Sequence, residues 1–477
     1  MLFRMLYDKK LAQAAYFIGC QATGEAIVID PERDVDRYLR VAGQENMKIT
    51  AITETHIHAD FLSGSRELAE RSGAKLYLSD EGDADWKYQW LDKKKGGGWY
   101  NHQLVRDGDI FRVGNIEFKV LHTPGHTPEH ICFMVTDRGG GANEPMGLAT
   151  GDFVFVGDVG RPDLLETAAG VAGAKETSAK VMYQSLQRFK TLPDYLQVWP
   201  GHGSGSACGK ALGAVPQSTV GYEKRFNASI AAASEESRFV KAILHGQPEP
   251  PLYFARMKRD NKMGPPLLGD MPNPRKESIA AIQTAVKNGA ALLDTRNWGD
   301  YIDGHLAGAL FAPLNTAFPT VAGSYVPENT PIYLIADEKD ITEAVTDLIR
   351  IGLDNIIGFA TPADLQQYSA SGGALKNIVS KDIRELKNGS RNGELILDVR
   401  RADEFEAGHL SGAKNIAHTR LLARMNEIPR EKPLLVHCRT DARSSYAVGL
   451  LQAHGFDITH LSGGFLGWLE SGGDIEK

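Results

Sequence analysis

The chain has 477 residues, of which 42% are hydrophobic and 24% are charged, and its formal net charge is −7. This length exceeds one ordinary domain, and the composition is typical of soluble globular proteins. The acidic balance and the lack of a basic tract argue against nucleic acid as a partner, and no segment could span a bilayer. We expect a cytoplasmic protein that binds neither nucleic acid nor membranes.

The four cysteines, Cys20, Cys132, Cys208 and Cys438, are widely spaced and form no C-x-x-C pair. Neither a disulfide scaffold nor a structural zinc site is therefore indicated. In a reducing compartment each cysteine is either a core residue or a reactive thiol. Cys132 lies in an apolar run and is interpreted as core, and Cys20 is interpreted as structural.

The first motif is the segment Thr55–Phe61, which follows the apolar strand predicted at Ile49–Thr53. His56 and His58 are two residues apart, so both can point to one side at a strand end, as metal ligands must. The segment resembles the H-x-H-x-D-H signature of the metallo-β-lactamase fold, in which the closing Asp-His pair holds a second metal ion. Phe61, which closes the segment here, cannot coordinate a metal. The resemblance therefore implies one metal ion with open positions, which could bind a substrate and O2 together.

Three further turns with metal-ligand side chains follow, each at the end of a predicted strand. They are His122–Thr127, Ala149–Asp152 and Trp199–Gly203. The order of these motifs resembles the metallo-β-lactamase superfamily over most of the first ~250 residues, a long stretch for one domain. The resemblance implies an αββα fold with its ligands in strand-end turns.

Within that superfamily, the motifs are most similar to those of the persulfide dioxygenases. This resemblance implies one Fe(II) per chain, held by His56, His126 and Asp152. It also implies that His58 and Asp60 orient the ligands and water.

His202 would normally serve a second metal, and Phe61 stands where that metal's other histidine is expected. His202 is therefore either a contact of the ligands or a plain turn residue. The loss of a second-metal ligand disfavours two-metal hydrolysis.

Two residues are candidates for substrate binding. The segment Gly157–Asp163 resembles the G-x-G-R-x-D motif of the same family, which implies that Arg161 meets an anionic substrate group. Cys208 lies in a flexible loop after the last histidine turn, and we expect it to face the cleft. A role in substrate handling and a role as a small loop residue both remain open.

Beyond a proline-rich stretch, the sequence repeats itself after about a hundred residues, one small domain's length. The repeated motifs are Leu292–Arg296 with Gly304–Ala309, and Ile396–Arg400 with Gly408–Ala413. Strands alternate with helices in both copies, which predicts two parallel sheets with helices on both faces, a doubly wound α/β arrangement.

In the last copy, Cys438 ends a predicted strand and a helix begins just beyond it. The helix N-terminus and the side chains of Arg439 and Arg443 favour a nucleophilic thiolate there. The cysteine loop and the repeated motifs resemble the rhodanese sulfurtransferases, which implies that Cys438 carries a sulfane sulfur as a persulfide. Ala336 occupies the same position in the middle copy, so that copy resembles the inactive rhodanese repeats.

These assignments divide the chain into an oxygenase domain at residues 1–245, a linker at 246–275, an inactive rhodanese-like domain at 276–372 and an active rhodanese domain at 373–477. The whole arrangement resembles the bacterial persulfide dioxygenase–sulfurtransferase fusions of sulfide detoxification. It implies oxidation of a low-molecular-weight thiol persulfide by O2 and sulfur transfer to sulfite, giving thiosulfate. Coenzyme A, glutathione, bacillithiol and cysteine all remain open as the thiol, and a homo-oligomer is expected.

Two other functions fit parts of the sequence. A glyoxalase-II-like thioester hydrolase fused to a sulfurtransferase would need two metals, which Phe61 disfavours. A non-catalytic sulfur carrier or sensor would keep Cys438 but would have no use for a full set of metal ligands. Metal content and turnover with a persulfide separate the three hypotheses.

Overall fold

The structure is a computed structural model that describes residues 1–167, 173–210, 212–247, 249–387 and 393–477. The chain divides into two compact units, Met1–Asp270 and Met271–Lys477. Each unit is an α/β structure.

The first unit contains two six-stranded sheets, with strand orders β1-β2-β3-β4-β5-β6 and β12-β11-β10-β9-β8-β7. The strands are β1 (Leu2–Asp8), β2 (Gln13–Cys20), β3 (Glu25–Ile29), β4 (Lys48–Thr53), β5 (Lys75–Ser79), β6 (His102–Val105), β7 (Ile110–Val113), β8 (Ile116–His122), β9 (Ile131–Asp137), β10 (Gly147–Gly151), β11 (Gln197–Pro200) and β12 (Ser218–Thr219). Strands β3 to β6 pair in parallel, whereas β7 to β10 pair antiparallel.

Strand β2 shows why the two sheets stack. Every residue of β2 is buried, and successive side chains point to opposite faces. Tyr16 and Ile18 join the apolar cluster between the sheets. Ala15 and Phe17 join a second cluster on the outer face of their own sheet. A sheet that is apolar on both faces must be covered on both faces, by the other sheet and by helices.

Helices cover the outer faces of both sheets. They are α1 (Asp36–Gln44), α2 (Ser65–Ser72), α3 (Leu164–Thr167), α4 (Ala174–Lys190), α5 (Val220–Phe226), α6 (Ala228–Ala232), α7 (Glu236–Leu244) and α8 (Phe254–Met263). Helices α1 and α2 contact β4 of the first sheet, and α4 and α7 bury their apolar residues on the second sheet. The predicted αββα arrangement is confirmed.

The segment predicted as a linker, residues 246–275, contains α8, and its Pro248 lies outside the described residues. Phe254, Met257 and Asn261 of α8 are buried, and the compact unit runs to Asp270. Most of this segment therefore packs on the first unit.

The second unit contains two five-stranded sheets with the same topology, β13-β17-β16-β14-β15 and β18-β22-β21-β19-β20. The strands are β13 (Arg275–Lys276), β14 (Ala291–Asp294), β15 (Ala309–Phe311), β16 (Ile332–Ile335), β17 (Ile356–Ala360), β18 (Val379–Asp382), β19 (Leu395–Asp398), β20 (Lys414–Asn415), β21 (Leu434–His437) and β22 (Ile458–Ser462). All pairings in both sheets are parallel. The predicted duplication is confirmed.

Helices accompany the strands of both copies, as expected for parallel sheets. They are α9 (Ile279–Lys287), α10 (Trp298–Asp303), α11 (Phe318–Tyr325), α12 (Ile341–Arg350), α13 (Pro362–Ala370), α14 (Ala402–Ala407), α15 (Leu421–Arg424), α16 (Ala442–Ala453) and α17 (Gly464–Glu470). Among the helices of the described residues, none combines the length and apolar character needed to cross a membrane.

The repeated sequence motifs make the same contacts in both copies. The Arg400 guanidinium pairs with both carboxylate oxygens of Asp398 and donates to the Gly408 carbonyl oxygen. Arg296 makes the corresponding bonds to the Asp294 carboxylate and to the Gly304 carbonyl oxygen in the other copy. These motifs therefore hold the fold and do not by themselves indicate catalysis.

The backbone packs closely around Gly64, which follows the Thr55–Phe61 segment, and a substitution there tests this packing. A β-carbon there would lie 2.1 Å from the backbone oxygen of Glu32, so Gly64→Ala requires a backbone shift. We expect it to destabilise the first unit by about 1–3 kcal/mol. Gly43→Ala in α1 meets nothing within 4 Å and should be neutral or stabilise by up to about 1 kcal/mol. Thermal unfolding of the full chain measures the stability of the two variants. Equal unfolding temperatures for Gly64→Ala and Gly43→Ala would contradict this packing.

Candidate metal centre and thiol site

Three predicted metal ligands come together in the first unit. His56 follows β4, His126 follows β8 and Asp152 follows β10. One ligand atom from each side chain lies within 4.8 Å of the others, and all three residues are buried. Strand β4 belongs to the first sheet, and β8 and β10 belong to the second, so strand ends of both sheets bring the three side chains together.

Hydrogen bonds orient both imidazole rings with one nitrogen towards the centre. His56 Nδ1 lies 3.0 Å from Thr55 Oγ1, which itself donates to the Asp30 carboxylate. His126 Nδ1 lies 3.0 Å from the Arg161 carbonyl oxygen and must donate to it. In both rings this arrangement leaves Nε2 as the lone-pair nitrogen that a metal can bind.

Burial keeps the two imidazoles neutral. It lowers the pKa of His126, and it lowers the pKa of His56 well below the usual range, with the neighbouring imidazoles adding to the effect. Burial opposes ionisation of Asp152, yet the Asp152 pKa is lowered, and the adjacent His202 ring makes the largest contribution to that lowering. Two neutral imidazoles and one carboxylate are the protonation states that a metal requires.

A second group of donors adjoins the first and consists of Asp60, His202 and Cys208, all buried. His202 Nε2 lies 3.3 Å from Asp60 Oδ2 and 3.3 Å from Asp152 Oδ1. His202 is therefore a contact of the proposed ligand Asp152 and not a plain turn residue.

The two groups contain buried polar atoms that need a partner. In the part of the chain that the structure describes, neither carboxylate oxygen of Asp60 or of Asp152 has a hydrogen-bond partner, and the same holds for His202 Nε2. Buried carboxylates without partners are costly, and such atoms normally bind a proton, water or a metal ion. The donor types and their isolation fit a bound cation.

His58 and Phe61 belong to the same strand-end segment as His56 and Asp60. Burial opposes protonation of His58, but the adjacent Asp30 carboxylate, 3.1 Å from His58 Nε2, raises its pKa to about 9. The Phe61 ring is fully buried and packs on the His58 ring, with centroids 4.4 Å apart. Phe61 thus fills the position of a ligand with a packed apolar ring.

Arg161 does not hold an uncompensated charge for a substrate. Its guanidinium is buried, forms a two-point ion pair with Asp163 and donates to the Ala207 carbonyl oxygen. Its backbone N–H also donates to the Cys208 carbonyl oxygen at 3.3 Å. In this structure Arg161 positions the loop of Cys208, and a direct contact with substrate stays a prediction.

Two residues that hold the site were missed by the sequence analysis. His130 accepts the Asp152 backbone N–H through Nε2 at 3.1 Å, and its ring stacks on His56. Asn261 of α8 donates to the carbonyl oxygens of His58 and Phe61. His130 lies only four positions after His126, so its spacing offered a signal, whereas nothing in the sequence links Asn261 to a loop 200 residues away.

In the second unit, Cys438 follows β21, and α16 begins four residues later. The cysteine is 1% exposed, and Ser444 Oγ lies 3.4 Å from its sulfur. Gly464 closes the loop from behind with φ of 54°, where a β-carbon would lie 2.3 Å from the Thr440 carbonyl oxygen. The loop therefore needs glycine at that position.

The two arginines of the loop differ in their partners. Arg443 pairs through both outer nitrogens with the Glu404 carboxylate. Burial opposes ionisation of Glu404, but Arg443 outweighs it and lowers the Glu404 pKa to about 2. Arg439 is exposed. Glu404 therefore balances the charge of Arg443, and the predicted effect of the two arginines on the Cys438 thiol stays a prediction.

Ala336 takes the position of the cysteine in the middle copy. It follows β16 as Cys438 follows β21, and it is buried. The exposed acids Asp337 and Glu338 come next. The absence of a nucleophile at this position supports the interpretation of this copy as inactive in sulfur transfer.

Residues 9–202 match the family model described as metallo-beta-lactamase superfamily. A crystal structure described as a metallo-beta-lactamase from Staphylococcus aureus subsp. aureus COL shares 42% sequence identity with the chain. Its alignment covers 76% of this chain and 99% of that chain, with a TM-score of 0.67. The chain belongs to the metallo-β-lactamase superfamily. Residues 382–471 of this superfamily member match the model described as rhodanese-like domain.

Curated relatives match part of the chain. A beta-lactamase hydrolase-like protein from Xylella fastidiosa (strain 9a5c) is 28% identical over 249 residues, which is 48% of this chain and 52% of that protein. A hydroxyacylglutathione hydrolase from Pelagibacter ubique (strain HTCC1062) is 30% identical over 190 residues, which is 39% of this chain and 65% of that protein. The chain thus spans about half the length of the first relative and less than two thirds of the second.

The ligand assignment predicts the iron content. After anaerobic loading with Fe(II), the chain should retain one iron, and His56→Ala or Asp152→Ala should lose it, because each removes one of three ligands. His102→Ala is the matched control, since His102 Nδ1 bonds the Tyr100 carbonyl oxygen outside the site. Elemental analysis after desalting measures the content. Unchanged iron in both ligand variants would contradict the assignment.

Substitutions of Ser444 and Ser445, near the start of α16, test the thiol site. Ser444→Ala removes the hydroxyl beside the Cys438 sulfur, which should slow sulfur transfer about 10-fold through loss of one charge-assisted hydrogen bond. Ser445→Ala should have little effect, because its hydroxyl donates to the Ala442 carbonyl oxygen within the helix. Thiosulfate formation from sulfite and a persulfide measures both rates. Equal rates for the two variants would contradict this role of Ser444.

Proposed function

We propose that the protein oxidises low-molecular-weight thiol persulfides with O2 at an iron centre and transfers a second sulfane sulfur to the product sulfite. The observation that carries this proposal is the ligand set of two imidazoles and one carboxylate, His56, His126 and Asp152. A set of this kind that leaves positions open is typical of non-haem Fe(II) oxygenases. The same chain carries a cysteine loop suited to sulfur transfer.

Iron bound to these ligands would supply open positions at which O2 and a persulfide sulfur can meet. The protein groups around it hold the ligands in place. Thr55 and the Arg161 carbonyl oxygen fix the two rings, and the His130 ring supports the backbone of Asp152. Burial of all three ligands excludes bulk water, which would otherwise compete for the same positions.

The proposed oxidation balances with water as the only further reactant. One persulfide, one O2 and one water give one thiol, one sulfite and two protons. The outer sulfur of the persulfide gives up four electrons, and O2 takes up four. The sulfur–sulfur bond of the persulfide breaks, and the inner sulfur leaves as the thiol.

The second reaction belongs to Cys438. Its thiolate attacks the outer sulfur of another persulfide, the substrate's sulfur–sulfur bond breaks, and the thiol leaves. Sulfite then attacks the sulfur held on Cys438, forms thiosulfate and releases the cysteine. Ser444 Oγ, 3.4 Å from the Cys438 sulfur, is placed to donate a hydrogen bond to the thiolate.

The middle copy contributes one wall of the cleft that we assign to substrate binding in this second reaction. A cleft of ≈ 580 Å³ lies between the two copies and is lined by Arg296, Trp298 and Asn315 of one and by Ala442 and Tyr446 of the other. Its second wall is the first turn of the helix that follows Cys438. We assign this cleft to the organic part of the persulfide, while the thiol itself remains open among coenzyme A, glutathione, bacillithiol and cysteine.

Arg161 and Cys208 are the residues proposed to contact the substrate of the iron centre. Cys208 lies beside the ligand Asp152 and is buried, which supports a place next to the reacting sulfur. The support for Arg161 is weaker, because Asp163 already neutralises its charge.

A glyoxalase-II-like thioester hydrolase is the second candidate, favoured by the similarity to a hydroxyacylglutathione hydrolase. The packed ring of Phe61 disfavours it, because a two-metal hydrolase of this fold needs an additional ligand there. Hydrolysis of a glutathione thioester that is independent of O2 would favour the hydrolase, and O2 uptake with a persulfide would favour the oxygenase.

Mutation can separate the two proposed activities, persulfide oxidation at the iron centre and sulfur transfer at Cys438. Cys438→Ser removes the sulfur nucleophile and leaves every proposed iron ligand in place. We expect this variant to consume O2 with a persulfide at the normal rate but to release sulfite instead of thiosulfate. Oxygen uptake and ion chromatography of the products measure the two outcomes.

The converse variant is His126→Ala, which should lose O2 uptake yet still form thiosulfate when sulfite and a persulfide are both supplied. Cys20→Ser changes a buried cysteine that belongs to neither proposed site, and it is the matched control for the cysteine variant. An unchanged thiosulfate yield from Cys438→Ser, corrected for the spontaneous reaction of sulfite with persulfide, would refute this division.

A further inference from the structure

A buried histidine of the last copy reaches the Cys438 sulfur through one serine. His460 lies on β22 and is 1% exposed. Its Nε2 atom lies 3.0 Å from Ser444 Oγ, and that oxygen lies 3.4 Å from the Cys438 sulfur. Ser444 is also buried. The three side chains therefore form a continuous chain of contacts inside the protein, and the sulfur transfer proposed for Cys438 involves only two of them.

Contacts on its other sides hold the His460 ring in place. His460 Nδ1 lies 3.3 Å from Ser380 Oγ on the neighbouring strand β18. The Trp298 ring of the middle copy meets the imidazole in an edge-type contact, with ring centroids 5.2 Å apart. The middle copy thus packs directly against the histidine that contacts Ser444.

The protonation of His460 follows from its surroundings. Burial lowers the His460 pKa to about 4, so the imidazole is neutral near pH 7 and carries one N–H. The Asp441 carboxylate lies 3.7 Å from Nε2, which favours the tautomer with the proton on Nε2. In this tautomer Nε2–H donates to Ser444 Oγ, and the Ser380 hydroxyl donates to Nδ1.

The Ser444 hydroxyl then keeps its own proton for another acceptor. The Asp441 carbonyl oxygen, 3.0 Å from Ser444 Oγ, competes with the Cys438 sulfur for that proton. A thiolate carries a full negative charge and is the stronger acceptor of the two. The hydrogen bond from His460 therefore leaves the hydroxyl able to donate to the reacting sulfur.

The middle copy provides an internal comparison. Ser444 follows Cys438 by six positions in the last copy, and Thr342 follows Ala336 by the same interval in the middle copy. Strand β17, which takes the place of β22 in the sheet of the middle copy, contains no histidine. The middle copy keeps a hydroxyl but lacks both the thiol and the imidazole, so only the last copy holds the complete set of three side chains.

We propose that His460 is a positioning residue for sulfur transfer, because its Nε2–H directs the Ser444 hydroxyl towards the Cys438 thiolate. No proton changes place in this arrangement, since the imidazole keeps its proton and Ser444 donates a hydrogen bond only. The inference rests on the sulfur transfer proposed for Cys438. It adds a residue that lies outside the cysteine loop.

The experiment compares two substitutions of His460 in the full chain. His460→Phe keeps a ring beside Trp298 but removes both nitrogens, whereas His460→Gln keeps an amide N–H that can reach Ser444. We expect His460→Phe to slow thiosulfate formation from sulfite and a persulfide about 10-fold, through loss of one charge-assisted hydrogen bond. His460→Gln should recover most of that loss.

A double variant separates positioning from a general loss of structure. If His460 acts through Ser444, His460→Phe combined with Ser444→Ala should be about 10-fold slow, like each single variant, and not about 100-fold slow. His409→Phe is the matched control, because His409 belongs to the same copy and its Nδ1 donates to the Phe405 carbonyl oxygen. This control should form thiosulfate at the normal rate.

Alkylation of Cys438 by iodoacetamide gives a second readout that needs no persulfide. At mildly acidic pH, His460→Phe should slow this alkylation about threefold, because the loss of thiolate outweighs the higher reactivity of each remaining thiolate. His460→Gln should again lie close to the wild-type rate. Mass spectrometry of the peptide that contains Cys438 measures the reaction.

Normal thiosulfate formation and normal alkylation in His460→Phe would overturn the inference. Equal losses in His460→Phe and His460→Gln would also overturn it, as would a double variant about 100-fold slow. Failure of the proposed sulfur transfer has a different signature. In that case the wild-type chain would form no thiosulfate with any persulfide, while alkylation of Cys438 would still distinguish His460→Phe from His460→Gln.

Discussion

The first unit depends on the compensation of two buried carboxylates, Asp60 and Asp152, which lie against imidazoles but lack hydrogen-bond partners among the described residues. Burying such charges costs several kcal/mol each unless a nearby opposite charge offsets the loss of hydration. A cation bound by the adjoining imidazoles would provide that opposite charge. The surrounding structure holds this arrangement in place. The ligands lie at strand ends, and hydrogen bonds fix the rings of His56, His126 and His202 with one nitrogen facing the ligand group.

Much of the fold could be predicted because its signals are local. The apolar strands, the Thr55–Phe61 motif and the repeated motifs of the second unit each specify their own turn, so the αββα layers and the duplicated sheets followed from the sequence. The positions of His56, His126 and Asp152 at strand ends followed for the same reason. Side chains within a strand-end motif are constrained by the strand itself.

The features of the site that the sequence did not predict depend on contacts between distant segments. Asn261 reaches the metal loop from α8, about 200 residues along the chain, and Cys208 joins Asp60 only because two loops meet in the folded chain. Charge balance is equally hidden from the sequence: Asp163 neutralises Arg161, and Glu404 neutralises Arg443 across 39 positions. A motif identifies a charged side chain but does not show whether a neighbour has already paired with it.

We propose that iron on the two-imidazole, one-carboxylate set carries out oxygen chemistry on a persulfide. The most direct measurement is oxygen uptake by the wild-type chain, loaded with iron or with zinc alone, against a panel of thiol persulfides. We expect uptake only in the iron-loaded form and only with persulfides, with one O2 consumed for every two persulfides as thiosulfate accumulates. Absence of uptake by fully iron-loaded protein with every persulfide, or equal uptake by the zinc form, would contradict an iron-dependent oxidation.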